Sequence, residues 1–241
     1  SKEILINKEY GTLLNNVKTG DHVEIPTPNE VSNYLPSYRY AQIYYEDDDL
    51  AIVMKPKGVK THPNDLKESN TLMNHVIYTV DSEYVEPIHR LDQETVGLLI
   101  VAKNPLMKKI LDRMLEYNEI TRIYKANVKA LLPIKPQTID MPIGKDKFHS
   151  NKRRISNTGQ RAITHIINSK MIKEGVCQLD IKLDTGRTHQ IRVHLAEIGH
   201  PVIGDPLYGT STLRQLELNS HQIEFTHPLT QEIISVSLDD K

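Results

Sequence analysis

The chain has 241 residues and 38% hydrophobic content, enough for a core of its own in one large domain, or one large domain with a small appendage. Its single cysteine, Cys177, excludes an intrachain disulfide and a cysteine-based zinc site, and points to a reducing, cytoplasmic compartment. A net charge of −1 excludes a diffuse attraction to nucleic acid, and no apolar stretch approaches the roughly 20 residues of a membrane helix.

From the N-terminus, Ile4–Asn7 and Val17–Ile25 read as two short strands around a polar connection with a Gly20-Asp21 turn. Pro26, Pro28 and Pro36 then punctuate a polar linker. Ile43–Tyr45 and Leu50–Met54 flank an acidic turn and form a hairpin, followed by Lys55-Pro56-Lys57-Gly58. Ser69 or Asn70 caps a short helix through Tyr78. The run Gly97–Ala102 is too short to span a membrane and reads as a core strand. Asn104-Pro105 starts a helix with Leu106, Ile110, Leu111, Met114 and Leu115 on its apolar face, and Asn118 ends it. Ile120–Ala130 alternates, with Tyr124, Ala126, Val128 and Ala130 on one face. Further strands fit 163–168, 176–183, 221–225 and 233–236, and a helix fits Thr188 to Gly199. Many strands with few helices between them predict an α+β class with a mostly antiparallel, mixed sheet.

Two segments carry chemistry. In Pro87-Ile88-His89-Arg90-Leu91-Asp92-Gln93-Glu94-Thr95-Val96-Gly97, one acidic residue stands at the mouth of the core strand, where a rigid loop could hold a catalytic carboxylate. A loop Asp that merely caps a turn has the same local pattern. In Leu183-Asp184-Thr185-Gly186-Arg187-Thr188-His189-Gln190-Ile191-Arg192-Val193-His194, an arginine inside a helix near a cleft needs an anion, either a carboxylate or a phosphate. His189 and His194 are spaced i, i+5, about 140° apart on a helix, which does not suit a metal pair. His189 is read as a polar contact and His194 as a packing residue. Lys145, Lys147, Lys152, Arg153, Arg154 and Arg161 crowd one loop-rich segment, which suits either phosphate contacts or plain solvation.

The first segment resembles the His-Arg-Leu-Asp-x-x-Thr-Ser-Gly-Leu-Leu signature of the RluA-type pseudouridine synthase family, with Val96 in place of Ser. The second is similar to that family's Thr-Gly-Arg-Thr-His-Gln-Ile-Arg-x-His pattern. Gly199-His200-Pro201-Val202-Ile203-Gly204-Asp205-Pro206-Leu207-Tyr208-Gly209 continues the match. Together with Lys55–Gly58, Arg122–Ala126 and Phe225–Pro228, the resemblance covers residues 40 to 230. It implies the pseudouridine synthase fold for a catalytic domain at 40–241. Residues 29–39 would be the linker, and 1–28 resemble the trailing half of a small alpha-L RNA-binding module.

What the resemblance implies is isomerisation of uridines in structured RNA, ribosomal or transfer, by a monomer without cofactor or metal. Uracil is detached at nitrogen 1, turned and rejoined through carbon 5. Asp92 would be the nucleophile, with Arg192 beside it, since an adjacent guanidinium favours the ionised carboxylate. Tyr124 would stack on the uracil and offer its hydroxyl as proton acceptor. The uridine must be flipped out, and Arg90 would hold the opened stack. Arg187, His189, Lys152, Arg153 and Arg154 complete the expected RNA contacts. The alternative is a catalytically inactive RNA-binding relative.

Overall fold

The computed structural model describes residues 4–12, 14–26, 30–65, 67–209 and 215–240. Within these, β1 (Ile4–Ile6), β2 (Glu9–Gly11) and β3 (Val23–Glu24) form a separate three-stranded antiparallel sheet in the order β2-β1-β3. The second strand expected here is much shorter than Val17–Ile25. Gly20 turns the chain with φ +96°, and Asp21 accepts from the Lys18 backbone N–H, so this stretch closes on itself instead of extending. The Pro28 boundary lies outside the described residues.

The main sheet is built from β4 (Gln42–Glu46), β5 (Leu50–Lys55), β6 (Glu86–Pro87), β7 (Val96–Ala102), β8 (Thr121–Lys129), β9 (Gln137–Asp140), β12 (Ile163–Lys173), β13 (Val176–Leu183), β14 (Leu218–Thr226) and β15 (Ile233–Ser237). Its order is β4-β5-β7-β14-β8-β13-β12-β9, with β15 on β14 and β6 on β7. Every pairing in it is antiparallel except β7 with β14. The mixed α+β sheet expected from the sequence is therefore the one observed.

Two cores explain why β7 reads as a continuous apolar run and not as an alternation, because each of its faces is covered. Leu99 and Val101 join Ala51, Val53, Tyr124 and Ala126 under α1 (Leu72–Thr79) and α3 (Gln190–Glu197). Leu98 and Ile100 join Leu50 and Ile52 against α2 (Pro105–Glu116) and β15. Gly97 makes the parallel joint possible: a Cβ there would lie 2.2 Å from the Ser220 carbonyl oxygen, and its φ is +127°.

α2 begins as expected, with the Asn104 side chain accepting from the Met107 N–H. α1 starts later than expected. Thr71 is its cap, donating backbone N–H and hydroxyl to Asn74 Oδ1. The basic segment is rich in turns, and within it a short antiparallel hairpin pairs β10 (Ile143–Lys145) with β11 (Arg153–Ile155). α3 starts at Gln190, not Thr188, because the Gln190 side chain pins the preceding turn. Its Oε1 accepts from Thr185 Oγ1 and Arg187 N, while its Nε2 donates to Ile163 O and Thr164 Oγ1. Arg192 thus falls in the first turn of α3, one turn earlier than expected from the sequence.

Candidate active site

A cleft of 680 Å³ opens where the β6–β7 loop, β8, the β13–α3 loop and α3 converge. Asp92, Tyr124, Arg192, Arg90, Arg187 and His189 all line it. The hairpin residues Lys152, Arg153 and Arg154 do not, although the Arg153 backbone N–H donates to the Tyr208 hydroxyl at 2.8 Å and so ties β11 to the site.

The loop that carries Asp92 is held from two sides. Lys55, fully buried at the end of β5, donates its Nζ to the carbonyls of Pro56, Val59 and Gln93 at 3.0, 2.7 and 3.0 Å. Burial pushes this ammonium down to about 8, against the opposing charges of Asp92 and Glu94. Thr61 clasps Leu91 through both the Leu91 backbone N–H and its carbonyl. The carboxylate therefore sits on a rigid support, as expected for a positioned reactive group.

Arg192 meets Asp92 with Nη1 at 3.0 Å from Oδ2. Its remaining donors reach Asp205, with Nε to Oδ2 at 2.7 Å and Nη2 to Oδ1 at 2.8 Å. Asp205 is fully buried, and its Oδ1 also accepts from the N–H groups of Leu207 and Tyr208. Burial alone would push the Asp205 carboxyl up, but these hydrogen bonds and the guanidinium hold it below the usual range. Burial likewise works against the guanidinium charge, and Asp205, then Asp92, outweigh it and raise the Arg192 value further. An arginine at this position required an anion, and the fold supplies two carboxylates.

His189 caps α3 in the left-handed region, φ +59°, with Nδ1 hydrogen-bonded to the Tyr208 hydroxyl at 2.9 Å and Nε2 3.7 Å from Asp92. Burial holds its imidazole below the ordinary range, with Asp92 opposing and Arg192 and Arg153 adding. Tyr208 also lies under the Arg192 guanidinium, 5.3 Å from ring centroid to Cζ. His194 has both nitrogens engaged, with Thr164 Oγ1 and with the Met141 carbonyl, as befits a packing residue. Tyr124 is 5% exposed, its ring edging the cleft from β8.

The sequence by itself assigned no role to Lys55, Arg122, Asp205 or Tyr208. The signal for the last two was present, since both stand in the quoted Gly199–Gly209 match and Arg192 required an anion. Arg187 donates Nε to the Arg161 carbonyl and remains exposed.

Asp47, Asp49 and His227 form the group with metal-ligand chemistry among the described residues. It does not fit a cation. His227 Nδ1 accepts from the N–H groups of Leu229 and Thr230, so Nε2 carries the proton, 3.3 Å from Asp47 Oδ2, and a protonated nitrogen is no ligand. The group also lies at the far end of β5 from Asp92, as Leu50 pairs Ala102 while Lys55 pairs Gly97.

Residues 49–197 match the model of the RNA pseudouridylate synthase family. The chain is 40% identical to an uncharacterized RNA pseudouridine synthase, YhcT, of Bacillus subtilis, over 97% of this chain and 80% of that protein. It is 36% identical to the ribosomal large subunit pseudouridine synthase D of Nitrosomonas europaea, over 80% of this chain and 60% of that one. Among solved structures, human RNA pseudouridylate synthase domain containing 1 superposes with a TM-score of 0.65 at 26% identity, covering 83% of this chain and 84% of its own. Given a matching family model, close relatives and the same fold, the chain belongs to the RluA-type RNA pseudouridine synthase family and is an RNA pseudouridine synthase.

Proposed function

We propose that this synthase isomerises uridines in structured RNA with Asp92 as nucleophile, Arg192 as the group that holds it in place, and Tyr124 stacked on the flipped uracil. The observation that carries the reading is the Asp92–Arg192–Asp205 chain that runs from the cleft into the core behind it, since a guanidinium fixed at two points presents its third nitrogen to the reactive carboxylate. Tyr124 edges the same cleft, so ring and carboxylate address one ligand. The same assembly favours turnover over the inactive RNA-binding reading.

In this reading Arg90, exposed at the cleft beside Asp92, enters the RNA stack when the uridine leaves it. Ribosomal RNA is the favoured substrate over transfer RNA, because relatives bear the name ribosomal large subunit pseudouridine synthase. Lys152, Arg153 and Arg154 contact phosphates outside the cleft. The working form is a cytoplasmic monomer; among the described residues no helix is long and apolar enough to cross a membrane. Tritium release from RNA carrying uridine labelled at carbon 5 tests the chemistry. Mapping pseudouridines in cells with and without the protein identifies the RNA. No release from any RNA, ribosomal included, by a folded chain would sink the reading.

A further inference from the structure

Arg122 is a cationic group in the cleft that the chemistry above leaves unused. It stands two residues before Tyr124 on the same face of β8 and is 5% exposed. Its Nε is buried without a hydrogen-bond partner, and among the described residues its guanidinium makes no ion pair. The carboxylates lining the same cleft do not neutralise it. Asp92 faces Arg192, Asp184 faces His165 and Asp112 faces Lys108, while Glu116 is in no ion pair with it. A buried, unpaired guanidinium is costly and persists where an anion is to be met. Its Nη1 lies 3.9 Å from where a Cβ at Gly186 would stand, so the missing side chain leaves the approach open. Next to Gly186, Arg187 lines the cleft from the other element, its Nε alone occupied.

We propose that Arg122 binds a backbone phosphate of the RNA at the flipped nucleotide, with Arg187 as the second donor across Gly186. This rests on the pseudouridine synthase reading of the cleft. Arg122 then positions the nucleotide whose base lies against Tyr124, and its charge is neutralised by RNA instead of by the protein.

The test measures RNA binding and RNA-free stability together, using a labelled, uridine-containing hairpin RNA at several salt concentrations. For Arg122→Met we expect RNA affinity to fall at least tenfold, with the slope of log affinity against log salt flatter by about 0.7 to 0.9. The melting temperature without RNA should hold or rise, because an uncompensated buried charge has been removed. Arg122→Lys should restore the slope. An unchanged slope in Arg122→Met, or a slope that Arg122→Lys fails to restore, overturns the proposal. So does a melting temperature lowered in both Arg122→Met and Arg122→Gln, the mark of a structural arginine. A wild-type chain that releases no tritium while its RNA affinity still depends on Arg122 defeats the wider reading and leaves the phosphate contact standing.

Discussion

Arg192 grips Asp205 with two of its nitrogens, Nε at 2.7 Å and Nη2 at 2.8 Å, and this fixes the plane in which Nη1 reaches Asp92 at 3.0 Å. A lysine in its place could hold one carboxylate but could not aim a second donor, since an ammonium has no fixed fork. Asp205 thereby acts on Asp92 at one remove, as a positioning residue.

Asp92→Asn leaves shape and support unchanged, for the loop is held by Lys55 and Thr61 and not by the Asp92 side chain. Turnover in the tritium-release assay should drop below detection, because a carboxamide is a far weaker nucleophile. Pseudouridine formation by this variant at a measurable fraction of the normal rate would end the nucleophile assignment.

Tyr124→Phe keeps the ring that packs beside Ala126 and Leu218 in the core and removes only the hydroxyl. RNA should still bind while turnover falls by about 100-fold or more, the range of a lost general base. Weaker binding with normal turnover per bound RNA would show that the hydroxyl serves recognition instead.

Asp205→Ala strands a buried guanidinium. Chemical denaturation should show a stability loss of about 3–5 kcal/mol, the cost of breaking a buried pair from one side. Turnover should fall with it, as Arg192 loses its fixed plane. A loss under about 1 kcal/mol, typical of an exposed pair, would contradict the burial of this one.

His89 gives the pH dependence. Its Nε2 accepts from the Ile100 N–H at 3.4 Å, and burial, helped by the Arg122 charge, pushes the imidazole down to about 3. Between about pH 3 and 6.5 the unfolded chain binds the proton that the folded chain refuses, so stability is complete above 6.5 and is lost as pH falls. From pH 6 to 4 the wild type should lose about 1.4 kcal/mol per pH unit more than a His89→Asn variant, measured by urea unfolding. Parallel curves would mean that His89 charges freely in the fold.

Replacing Lys152, Arg153 and Arg154 with Gln tests the hairpin. RNA affinity should weaken about equally across sequences, with the salt slope flattened by about 0.7 to 0.9 for each phosphate no longer neutralised. Unchanged affinity and slope would move the patch elsewhere.

Residue order by itself determined the features set by neighbours in sequence. The Gly97–Ala102 run declared a strand covered on both faces, Asn104-Pro105 declared the start of α2, and β8 showed its inward face by alternation. Asp92 and Arg192 stood out because a carboxylate at a strand mouth and an arginine inside a helix each need a reason. The family resemblance already set Arg192 beside Asp92; only the tertiary structure showed how the two meet and which second anion Arg192 holds. Asp92 and Arg192 are 100 residues apart, and their meeting depends on α3 lying over the end of the sheet where the Asp92 loop leads into the interior strand β7. That the anion for Arg192 is Asp205, and that Arg122 is left without one, follows from which side chains the β8 register and the turn after α3 deliver into the cleft. Periodicity reports which face a residue takes, whereas charge pairing is a matter of distance, and distance across a chain is fixed only when the layers close.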